Sequence, residues 1–104
     1  MFRRALFLSA MLATASAPAL ANMALATKHN CTACHAVDQK RVGPAYKDVA
    51  AKYKGDAKAP GHLFDKVRAG GSGNWGQVPM MPHPVDKISD DDLKAVIHWI
   101  LSLE

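Results

Sequence analysis

Hydrophobic positions near the C-terminus repeat with the period of one helix face. Apolar residues at i, i+3, i+4, i+7 and i+8 are typical of an amphipathic helix with one buried side. Ser89 precedes this segment as an N-cap, Asp92 occupies the capping-box position, and Ile88 pairs with Leu93 as a hydrophobic staple. The pattern predicts a helix after Ser89 whose apolar face consists of Leu93, Val96, Ile97, Ile100 and Leu101.

The rest of the chain predicts short helices joined by turns. We expect helices at Ala24–His29, Tyr46–Tyr53 and Pro60–Ala69, the last with proline in its first turn and glycines after its end. The segment Asn74–Lys87 is rich in proline and predicts an irregular loop. No segment alternates between apolar and polar residues as a half-buried strand does, so the predicted class is all-α.

The first residues have the composition of a secretory signal peptide. Arg3 and Arg4 form a positive region, residues 5–17 form an apolar run too short to span a bilayer, and Ala19-Leu20-Ala21 is a small-x-small cleavage site. We therefore expect cleavage after Ala21, which removes residues 1–21 as a signal peptide. This predicts an exported, periplasmic protein with no stable membrane anchor, whose single domain spans residues 22–104.

Charge is distributed unevenly along the expected mature chain. The full sequence has a formal net charge of +4, and loss of the two N-terminal arginines leaves about +2. Residues 22–58 contain seven lysines or arginines and three acids, whereas residues 59–104 contain four and six. This asymmetry predicts a basic side that orients the protein on acidic partner surfaces. Nucleic acid is not an expected partner, because no dense basic run or aromatic-interleaved basic patch is present.

The residues that decide the chemistry are Cys31-Thr32-Ala33-Cys34-His35. C-x-x-C-H is the attachment sequence of a c-type haem, in which Cys31 and Cys34 form thioethers and His35 ligates the iron. A thiol oxidoreductase is disfavoured because a helical pattern, not a strand, precedes Cys31 and because His35 follows the second cysteine directly. A zinc site is weaker still, since only three contiguous ligands are present and no second cluster follows.

A six-coordinate haem iron needs a further axial ligand, and the proline-rich loop offers three candidates. Met80 and Met81 carry soft thioether sulfurs, and His83 carries an imidazole. Adjacent methionines between two prolines are poorly explained as core filling, which favours ligation. The residues alone leave the choice among the three open.

Besides the haem motif, three further segments resemble those of a known protein family. They are Val42–Lys52 (VGPAYKDVAAK), Trp75–Met80 (WGQVPM) and the C-terminal helix from Ser89. With the motif they cover nearly all of residues 22–104, and the chain resembles the small class I bacterial cytochromes of the c-551/c-552 type, also called cytochrome c8. This resemblance implies a small class I cytochrome c fold, with about four short helices and loops around one covalently attached haem.

The resemblance also implies roles for individual residues. In the family the axial methionine directly follows Trp-Gly-x-x-Pro, which makes Met80 the iron ligand with His35. It further implies that the Pro44 carbonyl accepts a hydrogen bond from His35, and that Trp75 with Lys66 or Arg68 lies near a haem propionate. This chain departs from the family at Met81, where proline is usual, and in a longer connection to Ser89. No metal role is expected for His29, His62 or His98.

The expected function is a diffusible, monomeric single-haem electron carrier and not an enzyme. Expected partners are periplasmic redox proteins, with a cytochrome bc1-type complex or a dehydrogenase as donor and a terminal oxidase, nitrite reductase or peroxidase as acceptor. The main alternative is a haem enzyme or gas-binding protein with an open sixth position. Met80 argues against that alternative, because a bound thioether fills the position.

Overall fold

The computed structural model describes residues 18–104, with side chains described from residue 22 onward. Residues 3–17, including the arginines and the apolar run of the predicted signal peptide, lie outside this range. The elements in chain order are α1 (Pro18–Lys28), a 3-10 turn (Cys31–Ala33), α2 (Tyr46–Lys52), α3 (Ala59–Ala69), β1 (Gly71–Gly73), β2 (Gly76–Met80) and α4 (Asp90–Leu101).

The C-terminal helix α4 forms where its pattern predicts. The hydroxyl oxygen of Ser89 accepts a hydrogen bond from the Asp92 amide at 3.2 Å, which confirms the N-cap. Ile88 and Leu93 are both buried in one apolar cluster, as the predicted staple requires. The second half of the capping box is not formed, because the Asp92 carboxylate is hydrogen-bonded to His29 instead. Of the predicted apolar face, Leu101 is the one residue that is only half-buried.

The other three helices form with shifted ends. Helix α1 begins six residues before the predicted Ala24, so its first four residues belong to the expected signal peptide. Helix α2 ends at Lys52, with Tyr53 as its C-cap. Helix α3 begins at Ala59, one residue before the predicted start, and places Pro60 in its first turn, where a missing amide hydrogen costs nothing.

The prediction of no strands was wrong, because β1 and β2 pair as an antiparallel hairpin. Its Gly71, Gly73 and Gly76 have φ values of 107°, 116° and 107°, a region that glycine enters without steric cost. Every residue of the hairpin except Met80 is exposed. The strands therefore have no alternating buried face and no signal that hydrophobic periodicity detects. The predicted irregular loop is confined to the residues after β2.

Helix α4 forms the centre of the structure and packs against α1, α2 and α3. One buried cluster joins its Val96, Trp99 and Ile100 to α1 and to Tyr46 and Val49 of α2. The second cluster joins α4 to the inner side of α3. Within residues 18–104 no helix combines the length and the apolar character that a membrane span requires.

Candidate functional site

The two cysteines lie on a tight turn that directly follows α1. Asn30 adopts φ 60°, a left-handed conformation that asparagine tolerates, and this reverses the chain after the helix. The amides of Cys34 and His35 both bond to the Cys31 carbonyl, at 3.2 and 3.0 Å. In a helical turn residues i, i+3 and i+4 share one side. Both thiols are free, with Cys31 half-buried and Cys34 exposed, so both are available for thioether bonds.

The imidazole of His35 is held by the segment that follows the turn. Its Nδ1 lies 2.8 Å from the Pro44 carbonyl oxygen, which can only accept a hydrogen bond. Nδ1 therefore carries the proton, and Nε2 keeps a lone pair that can bind a metal. Gly43 lies against the same ring, since a Cβ at this position would come within 2.4 Å of His35 Cε1. The hydrogen bond implied by the resemblance is present in the structure.

Tyr46, the first residue of α2, contacts both the imidazole and a thiol. Its ring stacks on His35 at 5.1 Å between centroids, with 18° between the planes. Cys31 packs against the same buried cluster as Tyr46. Burial raises the pKa of the Cys31 thiol and also raises the pKa of the Tyr46 hydroxyl. Burial therefore favours the neutral, protonated forms of these two groups.

The two candidate methionines have different environments. Met80 is the last residue of β2, pairs with Gly71 and is half-buried. Met81 is 71% exposed. Gly70 permits a close approach of the chain at this end of the hairpin, because a Cβ there would lie 2.6 Å from the Met80 carbonyl oxygen. His83 Nδ1 is hydrogen-bonded to the Met81 carbonyl at 2.7 Å.

Trp75 lies at the turn of the hairpin and is held there by a lysine from α2. The Lys52 ammonium lies 4.6 Å from the centroid of the Trp75 ring, within the range of a cation–π interaction. The same ammonium donates a hydrogen bond to the Asn74 carbonyl at 3.1 Å. Lys66 extends from α3 toward the base of the hairpin, with its Nζ 3.2 Å from where a Gly71 Cβ would lie.

Arg68 has a different environment from Lys66, although both belong to the last turn of α3. Its guanidinium donates to the carbonyls of His83 and Ile88, at 3.0 and 2.7 Å, and to the Asp90 carboxylate. These bonds use three of its five N–H donors within the protein. Of the two basic residues expected near a propionate, the geometry favours Lys66.

The donor set and its apolar surroundings fit a haem. Two free thiols three residues apart and an imidazole with Nδ1 already bonded provide the covalent and axial groups of a c-type haem. Several large apolar side chains have no apolar cover within the described part of the chain, which suits packing around a large apolar group. They are Val42, Trp75, Val78, Met81 and Val85. Among the described residues no group of three or more His, Cys, Asp and Glu side chains converges as a separate metal site.

Comparison with known proteins identifies the family of the chain. The cytochrome c family model matches residues 14–104. The chain is 56% identical over 90 residues to cytochrome c-551 of Allochromatium vinosum, covering 86% of this chain and 94% of that protein. It is 50% identical over 86 residues to cytochrome c-552 of Nitrosomonas europaea, covering 83% and 82%. The crystal structure of wild-type Nitrosomonas europaea cytochrome c552 superposes with a TM-score of 0.72 at 51% identity, covering 79% of this chain and 99% of that one.

A haem-attachment turn on four short helices defines a small class I c-type cytochrome. The chain belongs to the cytochrome c family, with relatives named cytochrome c-551 and c-552. It is accordingly a small electron carrier with covalently bound haem c.

Sequence reasoning did not identify several contacts around the site. Gly43 and Tyr46 lie within quoted motifs, but only the fold shows that both touch His35. The contact of Lys52 with Trp75 joins residues 23 positions apart and leaves no local pattern. The close approach of Gly70 to the Met80 carbonyl had one signal, since Gly70 opens the glycine-rich segment after α3.

Proposed function

We propose that the protein is a diffusible periplasmic carrier with one haem, ligated by His35 and Met80, that shuttles single electrons between redox partners. The observation that carries this proposal is the hydrogen bond from His35 Nδ1 to the Pro44 carbonyl at 2.8 Å. It fixes the tautomer that leaves Nε2 for the iron, and a bonded Nδ1 makes the imidazole a stronger donor. The adjacent free thiols of Cys31 and Cys34 supply the covalent attachment.

Burial and backbone contacts support Met80 over its neighbours as the sixth ligand. Met80 is half-buried at the end of a strand, where it pairs with Gly71, whereas Met81 is largely exposed. His83 is less suited for a different reason, because an imidazole does not give the high reduction potential that a thioether gives. A thioether ligand raises the reduction potential, as suits an electron carrier.

The remaining residues bind and shield the cofactor. When bound, the haem supplies one-electron chemistry between Fe(II) and Fe(III). The position of Lys66 at the base of the hairpin supports its pairing with a haem propionate, together with Trp75 at the turn. Arg68 is less suited to this role than Lys66, because its guanidinium already bonds to two carbonyls and to Asp90. Pro44 contributes indirectly, because its carbonyl orients the His35 imidazole.

Two filled axial positions support a carrier without catalytic activity of its own. No coordination position then remains for a substrate or a gas. We expect a monomer that exchanges electrons with periplasmic proteins. The donor would be a cytochrome bc1-type complex or a dehydrogenase, and the acceptor a terminal oxidase, a nitrite reductase or a peroxidase. The predicted signal peptide supports export, with cleavage after Ala21.

The experiment compares two single substitutions in the oxidised holoprotein. Wild type should show the near-infrared sulfur-to-iron charge-transfer band, and intact mass after acid-acetone extraction should show one retained haem. Met80→Ala should lose the band and open the site to carbon monoxide in the reduced state, while Met81→Ala should keep the band. Loss of the band in Met81→Ala instead would assign the ligand to Met81. A wild-type protein that lacks the band and binds carbon monoxide freely would favour a gas-binding or peroxidase function.

A further inference from the structure

One side chain, that of Arg68, bonds to both halves of the segment between Met80 and α4. We call this segment, residues 81–89, the connector. Arg68 donates to the His83 carbonyl at 3.0 Å near the start of this connector and to the Ile88 carbonyl at 2.7 Å near its end. The same guanidinium bonds to Asp90, in the first turn of α4. A single group from α3 therefore ties together two points five residues apart and the start of the next helix.

The environment of Arg68 makes these bonds effective. Its side chain is 18% exposed, and its guanidinium carbon lies 5.1 Å from the centroid of the Phe64 ring, one turn earlier on α3. Hydrogen bonds to a charged donor are stronger than neutral ones, and the planar guanidinium serves several acceptors at once. Ile88 itself is 2% exposed, so its carbonyl belongs to the packed interior of the connector.

Helix α3 also fixes the part of the connector nearest Met80. The amide of His83 donates to the Val67 carbonyl at 3.0 Å. Gly70 lies so close to the chain that a Cβ would come within 2.7 Å of the Pro82 nitrogen. The last turn of α3 thus contacts the residues directly after Met80, and Arg68 provides the charged bonds in this contact. Opening the connector would free the residues that follow Met80 from α3.

We propose that Arg68 is a positioning residue that keeps this connector closed and thereby limits how often the Met80 thioether leaves the iron. The inference rests on the proposed ligation by Met80. Arg68 does not touch the iron and acts through the backbone of residues 83 and 88. Asp90 acts as the counter-charge that orients the guanidinium.

The test measures ligand exchange in the oxidised holoprotein. At saturating cyanide, binding is limited by departure of the methionine, so the limiting rate reports opening of the connector. Arg68→Gln should raise this rate at least about tenfold, because several charged hydrogen bonds are lost while the apolar core is unchanged. Arg68→Lys and Asp90→Asn should give smaller increases, since each retains part of the contact.

Lys94→Gln is the matched control. The Lys94 ammonium lies 6.0 Å from the centroid of the same Phe64 ring, and within residues 22–104 it forms no hydrogen bond or ion pair with the connector. This variant should keep the wild-type limiting rate. Denaturant unfolding of each variant separates the effect on the connector from a general loss of stability, which would shift the midpoint without changing the rate in the folded protein.

The outcomes distinguish this inference from the proposed ligation. A wild-type protein without the charge-transfer band, or one whose cyanide binding never saturates, would overturn Met80 ligation itself. A wild-type protein with the band whose limiting rate is unchanged in both Arg68→Gln and Asp90→Asn would overturn the role of Arg68 alone. If Arg68→Gln does not fold, unchanged rates in Arg68→Lys and Asp90→Asn overturn it equally.

Discussion

His29 and Asp92 are joined by a hydrogen bond of 3.0 Å between the imidazole Nε2 and a carboxylate oxygen. They lie 63 residues apart, one directly after α1 and the other in the first turn of α4. The second ring nitrogen of His29 lies 3.2 Å from the Lys87 carbonyl, and the side chain is only 12% exposed. One imidazole thus connects the helix before the haem-attachment turn to the start of the C-terminal helix.

A double-mutant cycle should show that this contact stabilises the fold. His29→Ala and Asp92→Asn should each lower the free energy of unfolding by about 1 kcal/mol. Together they should lower it by less than the sum, with a coupling of about 0.5–1 kcal/mol, because the residues interact directly. Denaturant titration of the holoprotein measures all four forms. Asp91→Asn is the control, since it removes a charge from the same helix turn. If the effects of His29→Ala and Asp92→Asn are strictly additive, the coupling is contradicted.

Gly43→Ala should disturb the proximal histidine. The new Cβ would lie 2.4 Å from Cε1 of His35, so the ring or the backbone must move. We expect destabilisation of about 1–3 kcal/mol, typical of overpacking, and a changed absorption spectrum of the oxidised haem.

The matched control for this change is Gly61→Ala in α3. A Cβ at Gly61 meets nothing within 4 Å. Alanine is favoured over glycine inside a helix by about 0.5–1 kcal/mol, so this variant should be slightly stabilised with an unchanged spectrum. If the two substitutions have equal effects on stability and on the spectrum, the contact of Gly43 with His35 does not matter for the site.

Two parts of the chain were predictable because their information is local. Ser89 and the apolar residues after it predict α4, because an N-cap and a helical period are both recognised from neighbouring residues. The attachment motif is local for the same reason, because two thiols and an imidazole within five residues restrict the chemistry strongly.

The parts that sequence reasoning missed depend on distant contacts or on glycine. The hairpin after α3 has exposed strands with glycines at positive φ, so it shows no alternation of apolar residues. Arg68 was predicted near a haem propionate, yet its nearest partners come from 15 to 22 positions further along the chain. Lys66 and Arg68 lie on the same helix turn, and tertiary packing decides which of them faces the connector. No local sequence pattern contains this information.

Lys66→Gln should lower the reduction potential. Removing a positive charge beside a propionate leaves that negative charge unbalanced, which stabilises Fe(III) relative to Fe(II). Spectroelectrochemistry of the holoprotein measures the shift. Lys58→Gln, which removes the same charge at the other end of α3, should leave the potential close to wild type. A shift of equal size in both variants would contradict a specific interaction of Lys66 with the haem.

The basic side predicted from the sequence should make electron transfer dependent on salt. All the lysines and arginines between residues 22 and 58 are exposed, although Lys47 is paired with Asp38 at 2.7 Å. Oxidation of the reduced protein by anionic ferricyanide should therefore slow as salt is added. The reason is that the Debye length falls from about 30 Å at 0.01 M to about 8 Å at 0.15 M ionic strength. Stopped-flow absorbance measures the rate.

Two variants decide whether the basic side causes this dependence. Arg41→Gln should weaken the effect of salt, because Arg41 is exposed in the basic half and its backbone amide bonds to the carbonyl of Gly43, which lies against His35. Lys87→Gln, from the acidic half, is the control and should change it less. A cationic cobalt(III) oxidant should show the opposite trend, reacting faster as salt rises. If both oxidants respond equally to salt, the field at the haem edge is neutral, and the charge asymmetry does not steer association.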